Sequence, residues 1–301
     1  MKSQAFHGLL VLDKPGGITS RTAVNRVQQW FPSGTRIGHT GTLDPLATGV
    51  LVVCIGTATR LAEYVQDMSK TYRAGLRLGA RSDTDDADGC VTPAEIEQIP
   101  DLGQVTASLQ SFVGEIDQVP PNYSAARVTG QRAYALARRG QTVTLQARKI
   151  TIYGIDILSY EFPQLEIEVR CGKGTYIRSL ARDLGDKLVC GALIETLRRT
   201  RVGPFKTDDA VAYDADAANA QGRLLPLAMA VAELPRIVVD SKAASDLGHG
   251  RAAALGGPCD FTSPGQIRAG AAFTSGGELV AVVSWDQSRQ VLVPEKVLLP
   301  C

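Results

Sequence analysis

The sequence predicts an α+β fold in which a mixed or antiparallel sheet is flanked by helices and followed by a small C-terminal β-barrel-like module. Strand-like and helix-like segments alternate without the regular βαβ repeat of a parallel sheet. After Pro235 the chain becomes glycine-rich, with short apolar runs at residues 271–273 and 279–285. A chain of 301 residues is long enough for a large domain and a small one. We therefore predict domains at residues 1–235 and 236–301.

The N-terminal segment predicts two buried strands, each followed by a helix. Residues 8–12 form an apolar run that ends before a proline, because a central strand cannot continue through proline. A helix follows, with Ser20 in position to cap it and apolar residues at helical spacing until Pro32. The second apolar run covers residues 50–55 and leads into a helix that begins near Thr59.

An alternating strand is predicted at residues 70–78, where Tyr72 and three other apolar residues fall on one face and two arginines on the other. Residues 82–110 are an acidic, turn-rich insertion, for which we predict a loop that leads to a helix. The aspartates at 83–88 resemble a calcium-binding loop only in part, because the twelfth position lacks the required Glu. We predict a solvated loop there and no metal site.

The middle of the chain predicts two more strands and an amphipathic helix. The strands cover residues 149–158 and 165–171, and the second of them alternates apolar with charged side chains. A tight turn at residues 172–175 then opens a helix whose inner face carries apolar residues at helical spacing.

The composition excludes several classes of protein. The chain has no run of 18 or more apolar residues, so we predict no membrane-spanning helix and no membrane partner. Its six cysteines form no C-x-x-C pair, and a domain of this size needs no disulfides, so we predict a reduced, cytoplasmic protein. Its three histidines stand at no ligand spacing to another His or Cys, so we predict no metal.

The net charge of +1 conceals a gradient along the chain. Residues 82–126 contain nine acidic residues and no Lys or Arg. From residue 127 to residue 201 the balance reverses, with fourteen Lys or Arg against seven Asp or Glu. One face of the protein could therefore be basic enough to bind phosphates although the whole protein is nearly neutral.

The most informative segment covers residues 38–51. Glycines and threonines surround its single acidic residue, Asp44, which is followed by the rigid Pro45. The residues alone support two interpretations. Asp44 either projects its carboxylate from a rigid loop, or it caps a helix or turn that Pro45 begins.

The same segment resembles the catalytic motif of the tRNA pseudouridine synthase B family, which makes pseudouridine at position 55 of the tRNA T loop. Further motifs of this family occur here in the family's order, and together they span residues 8 to about 206. The resemblance implies a pseudouridine-synthase sheet and a C-terminal PUA-like RNA-binding domain. The additional motifs lie at residues 11–15, 70–73, 118–125, 174–178 and 197–199.

The resemblance implies an isomerase that uses no cofactor, because the reaction breaks a C–N glycosidic bond and rejoins the sugar to C5 of the same uracil. The family's essential aspartate corresponds to Asp44, acting either as a nucleophile toward the ribose or as a base that assists glycal formation. Such a carboxylate needs a cation that keeps it ionised and aims it, and by resemblance that cation is Arg178. The alternative for Arg178 is a surface ion pair at a helix start.

A uridine inside a folded T loop must be flipped out of its stack before it can react. By resemblance, Tyr72 stacks on the flipped base and is a candidate acceptor of the C5 proton, while His39 enters the vacated stack. Tyr176 and Leu197 correspond to family positions that contact the aspartate and pack on the uracil. By periodicity alone, Tyr72, Tyr176 and Leu197 would equally suit the core, and His39 would suit a loop histidine bonded to backbone.

Four basic residues complete the predicted site. Lys14 corresponds to a family lysine near the active site with a supporting, partly structural role. Arg198, Arg199 and Arg201 form a dense cluster that we expect to contact the phosphate backbone, and a solvated helix end is the alternative.

The expected partner is the T-arm stem-loop of tRNA, bound by a monomer that requires no protein partner. The acidic insertion at residues 82–110 resembles the bacterial stand-alone form of the family. Two alternatives remain open, which are a guide-RNA-dependent pseudouridine synthase and a non-catalytic protein that binds or folds tRNA.

Overall fold

The fold is built on a ten-stranded mixed sheet and a smaller five-stranded sheet. The computed structural model describes residues 6–124, 145–254 and 269–298, together with the backbone of residues 127–128 and 131–132. In chain order the strands are β1 (Gly8–Lys14), β2 (Ile37–His39), β3 (Thr48–Ile55), β4 (Lys70–Leu78), β5 (Ala80–Ser82), β6 (Val91–Pro93), β7 (Gly114–Gln118), β8 (Arg127–Val128), β9 (Gln131–Arg132), β10 (Arg148–Glu161), β11 (Gln164–Cys171), β12 (Ala192–Val202), β13 (Phe205–Lys206), β14 (Val211–Ala212), β15 (Arg236–Val238), β16 (Ala253–Ala254), β17 (Gly270–Phe273), β18 (Leu279–Asp286) and β19 (Val291–Val297).

The large sheet has the strand order β14-β1-β3-β12-β4-β11-β10-β7, with β2 beside β3 and β13 beside β12. The pairs β1–β14 and β3–β12 are parallel, and the other pairs are antiparallel. The prediction of a mixed or antiparallel sheet is therefore confirmed, and the sheet is of the mixed kind. The parallel pair of β3 and β12 places residue 48 opposite residue 198, which joins two distant motifs at the centre of the sheet.

Helices cover both faces of this sheet. The described helices are α1 (Ser20–Gln28), α2 (Ala62–Asp67), α3 (Leu102–Gln110), α4 (Ile177–Lys187), α5 (Ala217–Gly222) and α6 (Ser241–Gly248). Apolar residues of α1, α3 and α4 share one core with Tyr72 and the rest of the inner face of β4. On the opposite face, residues of β1 and β3 pack with α2 and with β17 and β18. Because β1 and β3 are buried on both faces, their sequences read as continuous apolar runs.

The C-terminal part forms the five-stranded sheet, in the order β15-β17-β18-β19-β16, and α6 packs on it. This agrees with the predicted small β module. The predicted division into residues 1–235 and 236–301 stays a prediction. In the part of the chain that the structure describes, every helix is too short or too polar to cross a membrane.

Several local predictions need correction. Thr19, not Ser20, caps α1, because Thr19 has extended backbone and its hydroxyl accepts a hydrogen bond from the Thr22 N–H at 3.0 Å. The helix expected near Thr59 begins as a 3-10 turn at Gly56–Leu61 and becomes α2. The predicted loop at 82–110 also contains the short hairpin of β5 and β6 before α3.

Candidate active site

A cavity of about 690 Å³ opens where the starts of β3, β4 and α4 converge with β12. Its walls contain side chains from widely separated parts of the chain. Seven of the predicted site residues line it, namely His39, Asp44, Tyr72, Tyr176, Arg178, Leu197 and Arg199. The fold therefore assembles most of the predicted site in one place.

Asp44 lies on the loop between β2 and β3, which we call the Asp44 loop (residues 40–47). The buried Ser20 holds this loop, because its hydroxyl donates to the Leu43 carbonyl at 3.0 Å and accepts from the Leu43 N–H at 2.8 Å. The loop is held a second time at Pro45, whose carbonyl accepts from the Gly17 N–H at 2.9 Å. Pro45 begins a turn and not a helix, because the Ala47 N–H donates to the Asp44 carbonyl at 3.1 Å. Among the described residues, the Asp44 carboxylate accepts from Arg178 and not from an N–H of this turn, so the capping interpretation is wrong and the carboxylate lines the cavity.

Arg178 aims the Asp44 carboxylate from a buried position at the start of α4. Its Nε donates to Asp44 Oδ2 at 2.9 Å, while Nη1 and Nη2 donate to the carbonyls of Thr84 and Tyr123 at 2.8 and 3.0 Å. Only 4% of the Arg178 side chain is exposed, so the surface ion-pair interpretation is wrong. With all three of its nitrogens engaged, the guanidinium has one orientation and so does the carboxylate it binds.

Asp86 is the partner of Arg178 that sequence reasoning missed. Its Oδ2 lies 3.3 Å from Arg178 Nη1, and only 6% of its side chain is exposed. The Thr84 hydroxyl donates to Asp86 Oδ1 at 2.6 Å and fixes the carboxylate. The cation thus sits between a buried carboxylate and the cavity carboxylate Asp44. The acidic run in the sequence gave no signal that separates the buried Asp86 from the exposed Asp83 and Asp88.

Tyr72 and Arg199 lie deep in the cavity. Tyr72 is buried on β4, and burial raises the pKa of its phenol, while the charge and hydrogen bond of Arg199 lower it. Arg199 is 3% exposed. An aromatic ring in a cavity wall offers a face on which a planar base could stack.

Tyr176 and Leu197 form other parts of the wall. The buried Gln118 brackets Tyr176, because its side-chain amide donates to the Tyr176 carbonyl at 3.0 Å and accepts from the Tyr176 N–H at 2.8 Å. Leu197 is 7% exposed and presents an apolar surface. These two hydrogen bonds join the motif at residues 118–125 to the motif at residues 174–178.

His39 lies half-buried at the end of β2. Burial lowers the pKa of its imidazole, and the nearby Arg199 and Arg21 lower it further, so the neutral ring is favoured. Its Nδ1 is buried, and none of the residues described here hydrogen-bonds that atom. The interpretation of His39 as a loop histidine bonded to backbone therefore finds no support at this nitrogen.

Comparison with known proteins shows the family of the chain. The model of the TruB family pseudouridylate synthase N-terminal domain matches residues 29–177, and that of the tRNA pseudouridylate synthase B C-terminal domain matches residues 178–221. The chain belongs to the TruB family. It is therefore a tRNA pseudouridylate synthase, an isomerase that converts uridine in tRNA to pseudouridine.

Individual TruB relatives and solved structures agree with this assignment. The tRNA pseudouridine synthase B of Chromohalobacter salexigens is 45% identical over 82% of each chain. That of Burkholderia mallei is 39% identical over 99% of each chain. The crystal structure of a Cbf5-Nop10-Gar1 complex contains a chain that is 26% identical, with a TM-score of 0.72 over 97% of this chain and 85% of that one. An H/ACA RNP bound to a substrate RNA containing 2'-deoxyuridine gives the same TM-score at 25% identity, again over 97% and 85% of the two chains.

The cavity of this TruB-family enzyme is electropositive. Two carboxylates, Asp44 and Asp67, line it, and Asp67 is paired with Lys173 at 2.8 Å. Against them stand six basic side chains, namely Lys70, Arg148, Lys149, Lys173, Arg178 and Arg199. A positive lining concentrates phosphates at the cavity although the chain has a net charge of only +1.

The three arginines predicted as one phosphate-binding cluster do not form one. They lie on β12 rather than at a helix end, and Arg198 and Arg199 point to opposite faces because they are successive residues of a strand. An irregularity in the strand pairing lies between Arg199 and Arg201, and Arg201 is exposed. Arg198 forms an ion pair with Asp13 at 2.7 Å on the outer face, and Arg201 donates from Nε to the Gly203 carbonyl at 2.6 Å. Arg199 is buried on the inner face, so its guanidinium is not available to an RNA backbone.

Lys14 lies beside the site, but its position is structural. The side chain is fully buried, and its ammonium donates to the carbonyls of Pro15 at 2.8 Å and Pro45 at 3.3 Å. Burial lowers the pKa of Lys14 to about 8, although the nearby Asp44 raises it. Lys70, which sequence reasoning missed, is a second such group. Burial lowers its pKa to about 8, and it bonds the carbonyls of Gln66 and Met68.

These two lysines predict a pH dependence of stability. Each has a pKa of about 8 in the native state and an ordinary value of 10.5. Between these values the unfolded chain binds more protons, so each lysine makes the free energy of unfolding rise as the pH rises. In Lys14→Met the rise from pH 8 to pH 10 should be smaller than in wild type by about 2 kcal/mol.

Urea unfolding at several pH values measures this difference. Subtracting the variant from wild type removes the contributions of groups that titrate equally in both, and the lost hydrogen bonds add only a pH-independent offset. Two curves that stay parallel from pH 8 to pH 10 would show that Lys14 titrates normally in the native protein.

Proposed function

We propose that this enzyme isomerises the uridine at position 55 in the T loop of tRNA and that Asp44 carries the chemistry. The observation that supports this most directly is the Arg178 guanidinium, which is 4% exposed and aims the Asp44 carboxylate into a basic cavity with aromatic walls. A carboxylate that a buried arginine holds in place suits attack on, or proton removal from, a ribose.

In the proposed reaction the C1'–N1 bond breaks, the uracil turns, and a C1'–C5 bond forms. The proton at C5 leaves and N1 gains a proton, so atoms and electrons balance without a cofactor. Asp44 acts either as the nucleophile toward the ribose or as the base that assists glycal formation. Both routes require one correctly aimed carboxylate, which the contact with Arg178 supplies.

We propose that the target base enters the cavity by flipping out of its stack. Tyr72 stacks on the base, Tyr176 and Leu197 pack around it, and His39 fills the gap left in the RNA. A neutral imidazole suits that role, because an uncharged ring stacks between bases without being drawn toward the neighbouring phosphates. The basic rim around Arg148 and Lys173 holds the backbone on either side of the flipped nucleotide.

The experiment is tritium release from a T-arm hairpin that carries tritium at uracil C5, without guide RNA, metal or nucleotide. Release from the hairpin with uridine at position 55, and none when that position holds cytidine, is expected. A hairpin that binds without releasing tritium would favour the guide-dependent or non-catalytic alternatives. Release that continues after position 55 is replaced would contradict the proposed site.

Tyr72→Phe tests the role of the phenol. We expect the substitution to slow C5 tritium release by about a hundredfold or more, because the ring still stacks but the hydroxyl is lost. The affinity for tRNA should stay within about twofold, since the hydroxyl is buried rather than at the rim. Single-turnover kinetics and filter binding measure the two effects. Equal rates in both proteins would remove the hydroxyl from the mechanism.

We further propose that the enzyme acts alone, as a monomer in the cytoplasm. The similarity to chains of Cbf5-Nop10-Gar1 and H/ACA complexes favours the guide-dependent alternative, and relatives named tRNA pseudouridine synthase B that match over the full chain favour the stand-alone one. Sedimentation of the active protein measures its oligomeric state. Co-purification with a small RNA that is required for activity would reverse the proposal.

A further inference from the structure

We propose that Arg199 is a positioning residue, which fixes the Tyr72 hydroxyl relative to the Asp44 loop through one buried guanidinium. The inference rests on the proposed function, because it assigns the group that sets the geometry between the base-contacting phenol and the reacting carboxylate. Arg199 itself does not touch the substrate in this proposal.

The first contact is across the sheet. Arg199 on β12 lies directly opposite Tyr72 on β4, and both side chains point to the inner face and line the cavity. Side chains of directly opposite residues start about 4.5–5.5 Å apart, so the long arginine side chain easily reaches its neighbour. Burial raises the pKa of the phenol, and the charge and hydrogen bond of Arg199 act against that. The guanidinium is therefore close enough to the phenol to act on its pKa.

The other nitrogens of the same guanidinium hold the Asp44 loop. Nη2 donates to the carbonyl of Gly41, three residues before Asp44, at 3.0 Å. Nε donates at 2.8 Å to the carbonyl of Val50, in the strand that follows the loop. One rigid, planar group thus holds both sides of the loop, and it does so from the position directly opposite Tyr72.

The backbone is built to allow this approach. Gly49 pairs with Arg199 across the parallel strands, and its φ is +97°, which favours glycine. A Cβ at Gly49 would clash with the Arg199 carbonyl oxygen. Glycine at this position lets β3 come close enough for the guanidinium to reach both Val50 and Gly41.

The positive charge of Arg199 is not explained by an ion pair that would stabilise the fold. Among the residues that the structure describes, no carboxylate lies within ion-pair distance of Arg199. Burying a charge without such a partner is costly, even when its hydrogen bonds are made. The arrangement is understandable if the guanidinium is needed to place the two reacting groups.

A double-mutant cycle tests the proposal. The single-turnover rate of total pseudouridine formation in full-length unmodified tRNA is measured for wild type, Arg199→Met, Tyr72→Phe and the double variant. We expect Arg199→Met to slow the reaction by about a hundredfold, as a small misplacement of reacting groups does. The double variant should be no more than about threefold slower than the slower single variant, because both substitutions disturb one contact.

Two further variants keep the test decisive. Arg199→Lys retains the charge but not the planar fork, so we expect an intermediate rate, and it replaces Arg199→Met in the cycle if that variant does not fold. Arg77→Met is the control, because Arg77 is exposed on the outer face of the neighbouring strand, and it should match wild type. Thermal unfolding of every variant shows whether it is folded at the assay temperature.

Three results would overturn the inference. If the rate decreases of the two single variants multiply in the double variant, Arg199 and Tyr72 act independently and the role of Arg199 is structural. If Tyr72→Phe reacts at the wild-type rate, the reaction does not depend on a hydroxyl that Arg199 could position. A weaker tRNA affinity with a reduced salt dependence in Arg199→Met would indicate a direct phosphate contact instead. Mapping the modified position in the same tRNA tests position 55 separately, so a failure of that proposal is distinguishable.

Discussion

Replacing Asp44 with asparagine is expected to abolish pseudouridine formation while the protein still folds and binds tRNA. Asparagine keeps the shape and a hydrogen-bond acceptor for Arg178, but it is neither a nucleophile nor a base at neutral pH. The rate should fall by about 10⁴-fold or more, as it does when a nucleophile is removed. Arg178 keeps its contacts with Asp86 and two carbonyls, so stability should change by about 1 kcal/mol or less.

The cavity supplies a matched control for this experiment. Asp67 also lines it, but its side chain is 59% exposed and pairs with Lys173, and no buried arginine aims it. Asp67→Asn should therefore retain most of the single-turnover rate. Tritium release and gel-shift binding, measured on both variants, separate chemistry from affinity. Turnover by Asp44→Asn at the wild-type rate would remove Asp44 from the mechanism.

Replacing Arg178 with methionine is expected to cost both stability and activity. The substitution leaves Asp86, which is 6% exposed, as a buried charge without its cation. Losing one partner of a buried pair typically costs about 3–5 kcal/mol. The Asp44 carboxylate also loses the donor that aims it, so the rate should fall by at least about a hundredfold. Urea unfolding and single-turnover assays measure the two losses.

A second substitution separates these two effects. In Arg178→Met/Asp86→Asn the uncompensated charge is gone, so much of the lost stability should return, while the activity should stay low because Asp44 is still not aimed. Arg182 is the matched control on the same helix. It pairs with Asp85 and Asp183 but is 24% exposed, so Arg182→Met should cost less. Recovery of activity in the double variant would contradict the positioning role of Arg178.

Local pattern was enough for most of the secondary structure. The alternation at residues 70–78 predicted β4 and the side of the sheet that Tyr72 faces, because residues two apart on a strand share a face. The apolar spacing after residue 175 predicted α4 for the same kind of reason, with a helical period. The predictions failed where neighbouring residues compete for one role. Thr19 and Ser20 are both residue types that cap helices. The Ser20 hydroxyl is hydrogen-bonded to the backbone of Leu43, and Thr19 caps α1.

The sequence by itself determined the family, a mixed or antiparallel sheet and seven of the residues that line the cavity, because these depend on local pattern and on ordered motifs. Only the tertiary structure decided how those residues act. Arg178 contacts Asp44, which is 134 positions away in the sequence. Of the aspartates in the acidic run, Asp86 is the one that the fold buries against Arg178. It also separates Arg199 from Arg198 by turning one inward and the other outward. Burial and the direction of a side chain depend on which strands pair, and that pairing is a property of the whole chain.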